Sequence, residues 1–150
     1  GLGDVYKRQG MSIMQVEVVS NEELIFAGEA KFVVVPTVNG ELGICPRHEP
    51  IMSLVRPGAL RVTPADSNEE VLVAVAGGVL EVRPNKITVL ADVVVRSAEI
   101  DQQRAEEAKK GAEASISQAK DDESRARAQA ALAAAIAELK TLEYLSKRRI

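Results

Sequence analysis

The chain has 150 residues, enough for one ordinary domain or two small ones. With 46% apolar residues it can bury a core, which an aromatic content of 3% obliges Val, Ile, Leu and Ala to fill. Its net charge of −3 argues against a nucleic-acid binder, its single cysteine excludes an internal disulfide, and no apolar run approaches the roughly 18 to 20 residues that span a bilayer; together these predict a soluble protein.

Residues 1–10, "GLGDVYKRQG", lack the apolar stretch of a secretory signal and precede a plausible start at Met11. They are read as a non-native or disordered extension. From Met11 to Arg96 the text is strands and turns. "IMQVEVV" sets Met14, Val16 and Val18 against Ile13, Gln15 and Glu17, and "LIFAGE", "KFVVVP", "ALRVTP", "VLVAVA", "VLEVRP", "KITVLA" and "DVVVR" follow at short intervals. Turn chemistry separates them at Asn39-Gly40, Pro57-Gly58, Asp66-Ser67-Asn68, Gly77-Gly78 and Pro84-Asn85. Seven to ten short strands without a helix-length interval predict an antiparallel sandwich or flattened barrel over 11–96.

At Arg96 and Ser97 the composition switches: all six prolines lie between Pro36 and Pro84, and beyond Arg96 one glycine, Gly111, stands against 14 alanines. Residues 97–150 are predicted to form an antiparallel two-helix hairpin, with helices from about Glu99 to Ala119 and Glu123 to Ser146, and Asp121 or Asp122 as the second N-cap. Ala128, Leu132, Ala135, Leu139 and Leu142 fall on one stripe of the second helix. The stripe of the first helix offers only Ile100 and Ile116 as large groups, the rest being alanines such as Ala105, Ala108, Ala112 and Ala119. Burying a Leu or Ile contributes roughly 1.5 to 3 kcal/mol and a methyl roughly 0.8. Alanine propensity therefore keeps the helices formed while their docking is marginal; the hairpin reads either as a short appendage that stays put or as a switch whose alternative placements lie close in energy.

Candidate chemistry begins with Cys45 and His48, in "GELGICPRHEP". A zinc site needs four ligands and would have to recruit Glu41 and Glu49; a Cys-His nucleophile needs contact and a third orienting group. The plainer reading makes Cys45 a small buried hydrophobe and His48 a loop residue bonded to backbone or partner. "AGGVLEV" lacks the spacing of a phosphate loop, and its glycines fit a tight connection between strands. No catalytic or metal-ligating set is assigned. The charged helix faces read either as solvated, with i, i+4 pairs such as Glu106 with Lys110, or as a basic surface for an acidic partner, carried by Arg104, Lys109, Lys110, Arg125, Arg127, Lys147, Arg148 and Arg149.

"VEVVSNEELIFAGEA", "GELGICPRHEPIMSLVRPGALRV", "VAGGVLEVRPNKITVLADVVVR" and "IDQQRAEEAKKGAE", in this order and spacing, resemble the epsilon subunit of bacterial F-type ATP synthases from about Met11 to the end of the chain. The resemblance implies a sandwich of about ten strands followed by two helices, in a non-catalytic rotor subunit of the central stalk. The sandwich is expected to bind the gamma subunit and the c-ring, and the helices to inhibit ATP hydrolysis by extending into the catalytic alpha/beta head. The complex is expected on the cytoplasmic face of the bacterial inner membrane, with this chain peripheral and membrane-associated only through it. Matched positions imply partner contacts at Glu41, Leu42, Gly43 and His48 on a loop. They also imply a nucleotide motif, Ile100, Asp101, Arg104 and Ala105, which in some members binds regulatory ATP. Here the second helix has Ala134 and Glu138 where those members carry arginines; the alternative reading is still a hairpin locked by ATP, with no cofactor otherwise. Two departures stand out: Cys45 replaces a larger apolar residue, and Arg47 replaces the usual glycine.

Overall fold

In a computed structural model, residues 13–21 and 23–148 are described, apart from the Arg148 side chain; the predicted extension and Met11 lie outside them. Nine strands run in chain order: β1 (Met14–Ser20), β2 (Glu23–Thr37), β3 (Gly40–Ile44), β4 (Ile51–Val55), β5 (Gly58–Pro64), β6 (Val71–Val75), β7 (Gly78–Arg83), β8 (Lys86–Ala91) and β9 (Val94–Arg96). A 3-10 turn (Ser97–Glu99) leads into α1 (Gln102–Gln118) and α2 (Asp122–Arg148). The expected β-sandwich followed by a helix pair is therefore what the chain forms.

Two details differ from the expectation of about ten antiparallel strands. "LIFAGE" and "KFVVVP" are one 15-residue strand, β2: Gly28 between them does not take the positive φ of a turn glycine and instead pairs with Val16 of β1. Its first half pairs with β1, and its second half with β5 and β3. The sheet is also mixed, since β1 lies parallel to β8, with Gln15 opposite Lys86 and Val19 opposite Leu90. The remaining pairings are antiparallel, along the order β1-β8-β7-β4-β2-β5-β6-β9.

Strand alternation puts Val16, Val18, Val33, Val35, Ile44, Leu60, Val62, Val73, Val75, Leu80, Val82, Ile87 and Val89 into one core, each at most 2% exposed. Gly77-Gly78 makes the tight connection expected of it. At Gly78 φ is +136°, and a Cβ there would sit 2.0 Å from the Leu90 carbonyl oxygen, a place only glycine fits.

The helices start where side chains cap them. The Asp101 carboxylate accepts the Arg104 backbone N–H at 2.9 Å, and Asp121 accepts that of Ser124 at 2.6 Å. The first helix thus begins at Gln102 instead of Glu99, whose segment is a 3-10 turn. In α1 the buried residues are Ala105 and Ala112, with Lys109 and Ile116 half-buried. Ala108, expected in this stripe, is exposed; the seam follows a 4-3-4 spacing through Lys109, whose aliphatic stem lies along it. The long second helix packs on α1 and also on β5 and β6, whereas α1 rides chiefly on α2.

Candidate functional site

Each strand of the sandwich carries a second, outward set of side chains, and the two outer faces have different fates. On the first face, cross-strand pairing sets Gly43 (β3), Val34 (β2), Arg61 (β5) and Leu72 (β6) side by side. Val34 and Leu72 are buried although they point away from the core, and α2 lies over the adjoining β5 and β6. Along α2 the residues answering them are Ala137 and Thr141, buried at 1% and 0%, and then Tyr144. The Thr141 hydroxyl donates to the Ala137 carbonyl at 2.8 Å, so burying it leaves no unpaired group.

A charged Arg61 in this row needs partners. Its Nη1 donates to the Tyr144 hydroxyl, and its guanidinium carbon lies 4.4 Å from the centre of that ring. Its Nη2 is 3.4 Å from Glu41 Oε2, and its Nη1 3.9 Å from Glu70 Oε2. The Tyr144 hydroxyl donates in turn to Glu70 Oε1 at 3.3 Å. Arg61 Nε is buried without an acceptor among the described residues, and an unmet donor of this kind costs about 1–3 kcal/mol. Beside the cluster a cleft of about 270 Å³ opens between β3, β5 and the end of α2, walled by Pro36, Pro57, Arg56, Lys140 and Lys147. Sequence reasoning missed this cluster. Its one signal was that Tyr144 is the only aromatic residue after Phe32.

On the second face no described element is docked. Leu54 (β4), Val79 (β7), Leu90 (β8), Val19 (β1) and Leu24 (β2) are successive cross-strand neighbours. Leu54, Leu90 and Leu24 are 59%, 52% and 56% exposed. A row across five strands covers roughly 19 Å at strand spacing, and a contiguous exposed apolar row of this kind marks an interaction surface. Met52, 68% exposed, extends it.

The expected loop contacts are distributed differently. Glu41, Leu42 and Gly43 belong to β3 instead of a turn: Leu42 packs against the core and Glu41 is committed to Arg61. The open position at Gly43 accommodates Phe32, whose ring lies 3.0 Å from where a Cβ would be. His48 is at the other end of β3, in the connection to β4, with Nδ1 2.7 Å from the Glu49 carbonyl oxygen, to which it donates. Cys45 is exposed, against the buried reading; Ile44 fills the core, and the next residue of an extended chain turns outward. Arg47 takes a left-handed φ of +69°, and its N–H bonds Pro84 O at 2.8 Å. The described residues hold no group of three or more His, Cys, Asp or Glu placed to bind a metal ion.

The nucleotide motif has structural duties. Asp101 caps α1, Ala105 is buried in the helix seam, Ile100 is half-buried, and Arg104 is exposed. Across the seam Arg104 acts on Glu138, whose carboxyl is pushed up by burial and drawn back by that guanidinium. A triphosphate at Arg104 meets this carboxyl, so the geometry does not favour an ATP-locked hairpin. Among the basic residues, Arg125 pairs with Asp122 at 3.7 Å, Arg127 with Glu123 at 3.6 Å and Lys147 with Glu143 at 3.4 Å, all within α2. Lys109 is half-buried and Lys110 exposed. The expected partner of Lys110, Glu106, instead accepts the Gln102 amide at 3.2 Å. The Arg148 side chain and Arg149 lie outside the described residues.

Comparison with known proteins gives a consistent picture. Residues 13–97 match the model of the ATP synthase Delta/Epsilon chain beta-sandwich domain, and residues 98–143 that of its long alpha-helix domain. An ATP synthase epsilon chain of Neisseria meningitidis is 73% identical over 139 residues, covering 93% of this chain and 99% of the relative. One from Chromobacterium violaceum is 56% identical over 138 residues, covering 92% and 99%. Among solved structures, a chain of the Euglena gracilis mitochondrial ATP synthase (OSCP/F1/c-ring, rotational state 1) superposes with a TM-score of 0.72 at 22% identity. It covers 88% of this chain and 82% of that one, a likeness of fold.

Proposed function

This chain belongs to the ATP synthase epsilon chain family, and on that premise we propose how its two outer faces divide the work of a non-catalytic central-stalk subunit. The open apolar row Leu54–Val79–Leu90–Val19–Leu24 is the surface that holds the gamma subunit. The observation that carries this reading is the row itself: five apolar neighbours, three of them exposed, that no described element covers on one face, while the hairpin packs on the other. The sandwich of residues 11–96 couples gamma to the c-ring, with Glu41, Leu42, Gly43 and His48 as contacts at its margins. The hairpin of residues 97–150 is the regulatory part. It rests on β5 and β6 in the form described and, when lifted, reaches the catalytic alpha/beta head and slows hydrolysis, with Arg104, Lys109, Lys110, Arg125, Arg127, Lys147, Arg148 and Arg149 as its basic contacts.

Small residues at the helix seam support this division, since Ala105, Ala112, Ala128 and Ala135 are all buried yet give up little apolar area on separation. No described helix is long and apolar enough to cross a membrane. Attachment to the cytoplasmic face of the bacterial inner membrane then runs through the complex.

Reconstitution tests the reading. Added to a gamma-containing catalytic head stripped of its own epsilon chain, the full chain binds and lowers ATP hydrolysis several-fold. A chain ending at Arg96 binds equally well without inhibiting. Equal inhibition by both, or by neither, overturns the regulatory assignment.

A further inference from the structure

We propose that the Tyr144 phenol is the latch of the hairpin, and that the charge network beneath it is arranged so that release leaves Arg61 paired. This rests on the regulatory reading above, in which α2 leaves the sandwich.

Arg61 stands in an apolar row between Val34 and Leu72, directly under α2. A buried guanidinium whose counter-charge sat on the departing helix would be stranded on release, which makes a buried ion pair a poor switch. Here both carboxylates within reach of Arg61 belong to the sandwich: Glu41 on β3 at 3.4 Å, and Glu70, just before β6, at 3.9 Å. What the helix contributes to Arg61 is Tyr144. Its ring lies 4.4 Å from the guanidinium carbon, and its hydroxyl accepts from Nη1 while donating to Glu70 at 3.3 Å. When α2 lifts, Arg61 loses the phenol and regains water, and its two acidic neighbours stay beside it.

The rest of the sheet-facing stripe gives Tyr144 its weight. Ala137 and Thr141, seven and three residues earlier, are fully buried but small, and Lys140 adds only a 3.5 Å contact to the Pro57 carbonyl. Docking also leaves Arg61 Nε without an acceptor. The phenol therefore works against a built-in opposing term, and a modest change at this one side chain shifts the docked fraction.

Hydrogen–deuterium exchange of the full-length chain tests the latch without the complex. Tyr144→Phe keeps the ring and removes the hydroxyl; Tyr144→Leu removes both. We expect amides in the last three turns of α2 to exchange about five- to tenfold faster in Tyr144→Phe, and faster still in Tyr144→Leu, with β7 and β8 unchanged. Unaltered exchange of α2 in both variants overturns the latch. An equal acceleration in β7 and β8 does so too, because Tyr144 would then hold up the whole fold. Hydrolysis assays on the same variants separate the two ideas: faster α2 exchange with unchanged inhibition upholds the latch and removes the regulatory role, whereas unchanged exchange removes the latch whatever the inhibition.

Discussion

Arg47 is a residue in a conformation made for another. Its φ of +69° is left-handed, and its N–H is fixed to Pro84 O at 2.8 Å, so the strand connection cannot relax by rotating away. A Cβ in this region costs roughly 1–2 kcal/mol, a cost that glycine avoids. Glycine in turn adds freedom to the unfolded chain, returning roughly 0.5–1 kcal/mol of that gain. Comparing Arg47→Gly with Arg47→Ala isolates the backbone effect, since both remove the arginine side chain. The glycine variant is expected to be the more stable by about 0.5–1 kcal/mol, read as a higher denaturant midpoint at equal slope. At this scale sequence reading located the anomaly but not its sign, because a left-handed φ is set by what the N–H must reach. Cys45 shows the same limit from the other side: its chemistry suggested burial, and the phase of β3 decided exposure.

The second helix presents two stripes where the sequence showed one. Ala128 and Ala135 lie on the stripe read from the periodicity, while Ala137 and Thr141 form another that faces the sheet. In an alanine-rich helix the second stripe has no contrast against the first, so it was illegible, and the Arg61–Tyr144 pairing spans 83 positions that no local pattern connects. The helices themselves were legible from composition and caps. Two acids give the hairpin a pH signature. Burial raises the Glu138 carboxyl above its ordinary range, so the folded state holds that proton more tightly than the unfolded chain. This increment of stability is lost as pH rises through the raised value and recovered on acidification. Asp121 is held below its ordinary range by the Ser124 backbone N–H; its contribution is present above the ordinary value and lost as pH falls through the lowered one. Helical melting followed by circular dichroism should therefore show stability rising on mild acidification and falling in stronger acid. Glu138→Gln removes the rise, and Asp121→Asn, which still caps, removes its share of the fall.

At the scale of the molecule the turns were readable because they are local, whereas the strand count was not, since β2 joins two segments that read as separate strands. The parallel β1–β8 pairing and the outward rows were not, because each is assembled from distant segments. The open face nevertheless yields a sharp test. Leu90 is 52% exposed at the middle of the row, so Leu90→Glu leaves the isolated chain within about 0.5 kcal/mol of its parent. A carboxylate buried at an interface centre is severely penalised, and the same variant should lose at least tenfold in affinity for gamma, measured by titration calorimetry. Retained affinity would move the gamma contact elsewhere on the sandwich.

The long β2 strand has a mechanical consequence. Because Glu23–Thr37 pairs first with β1 and then with β3 and β5, one covalent backbone links the two halves of the sandwich. A stalk component is loaded sideways as the stalk turns, and shear between two sheets joined only by side-chain packing would let them slip. Here part of that shear falls on the peptide bonds of a single strand, which resist it far better than side-chain packing.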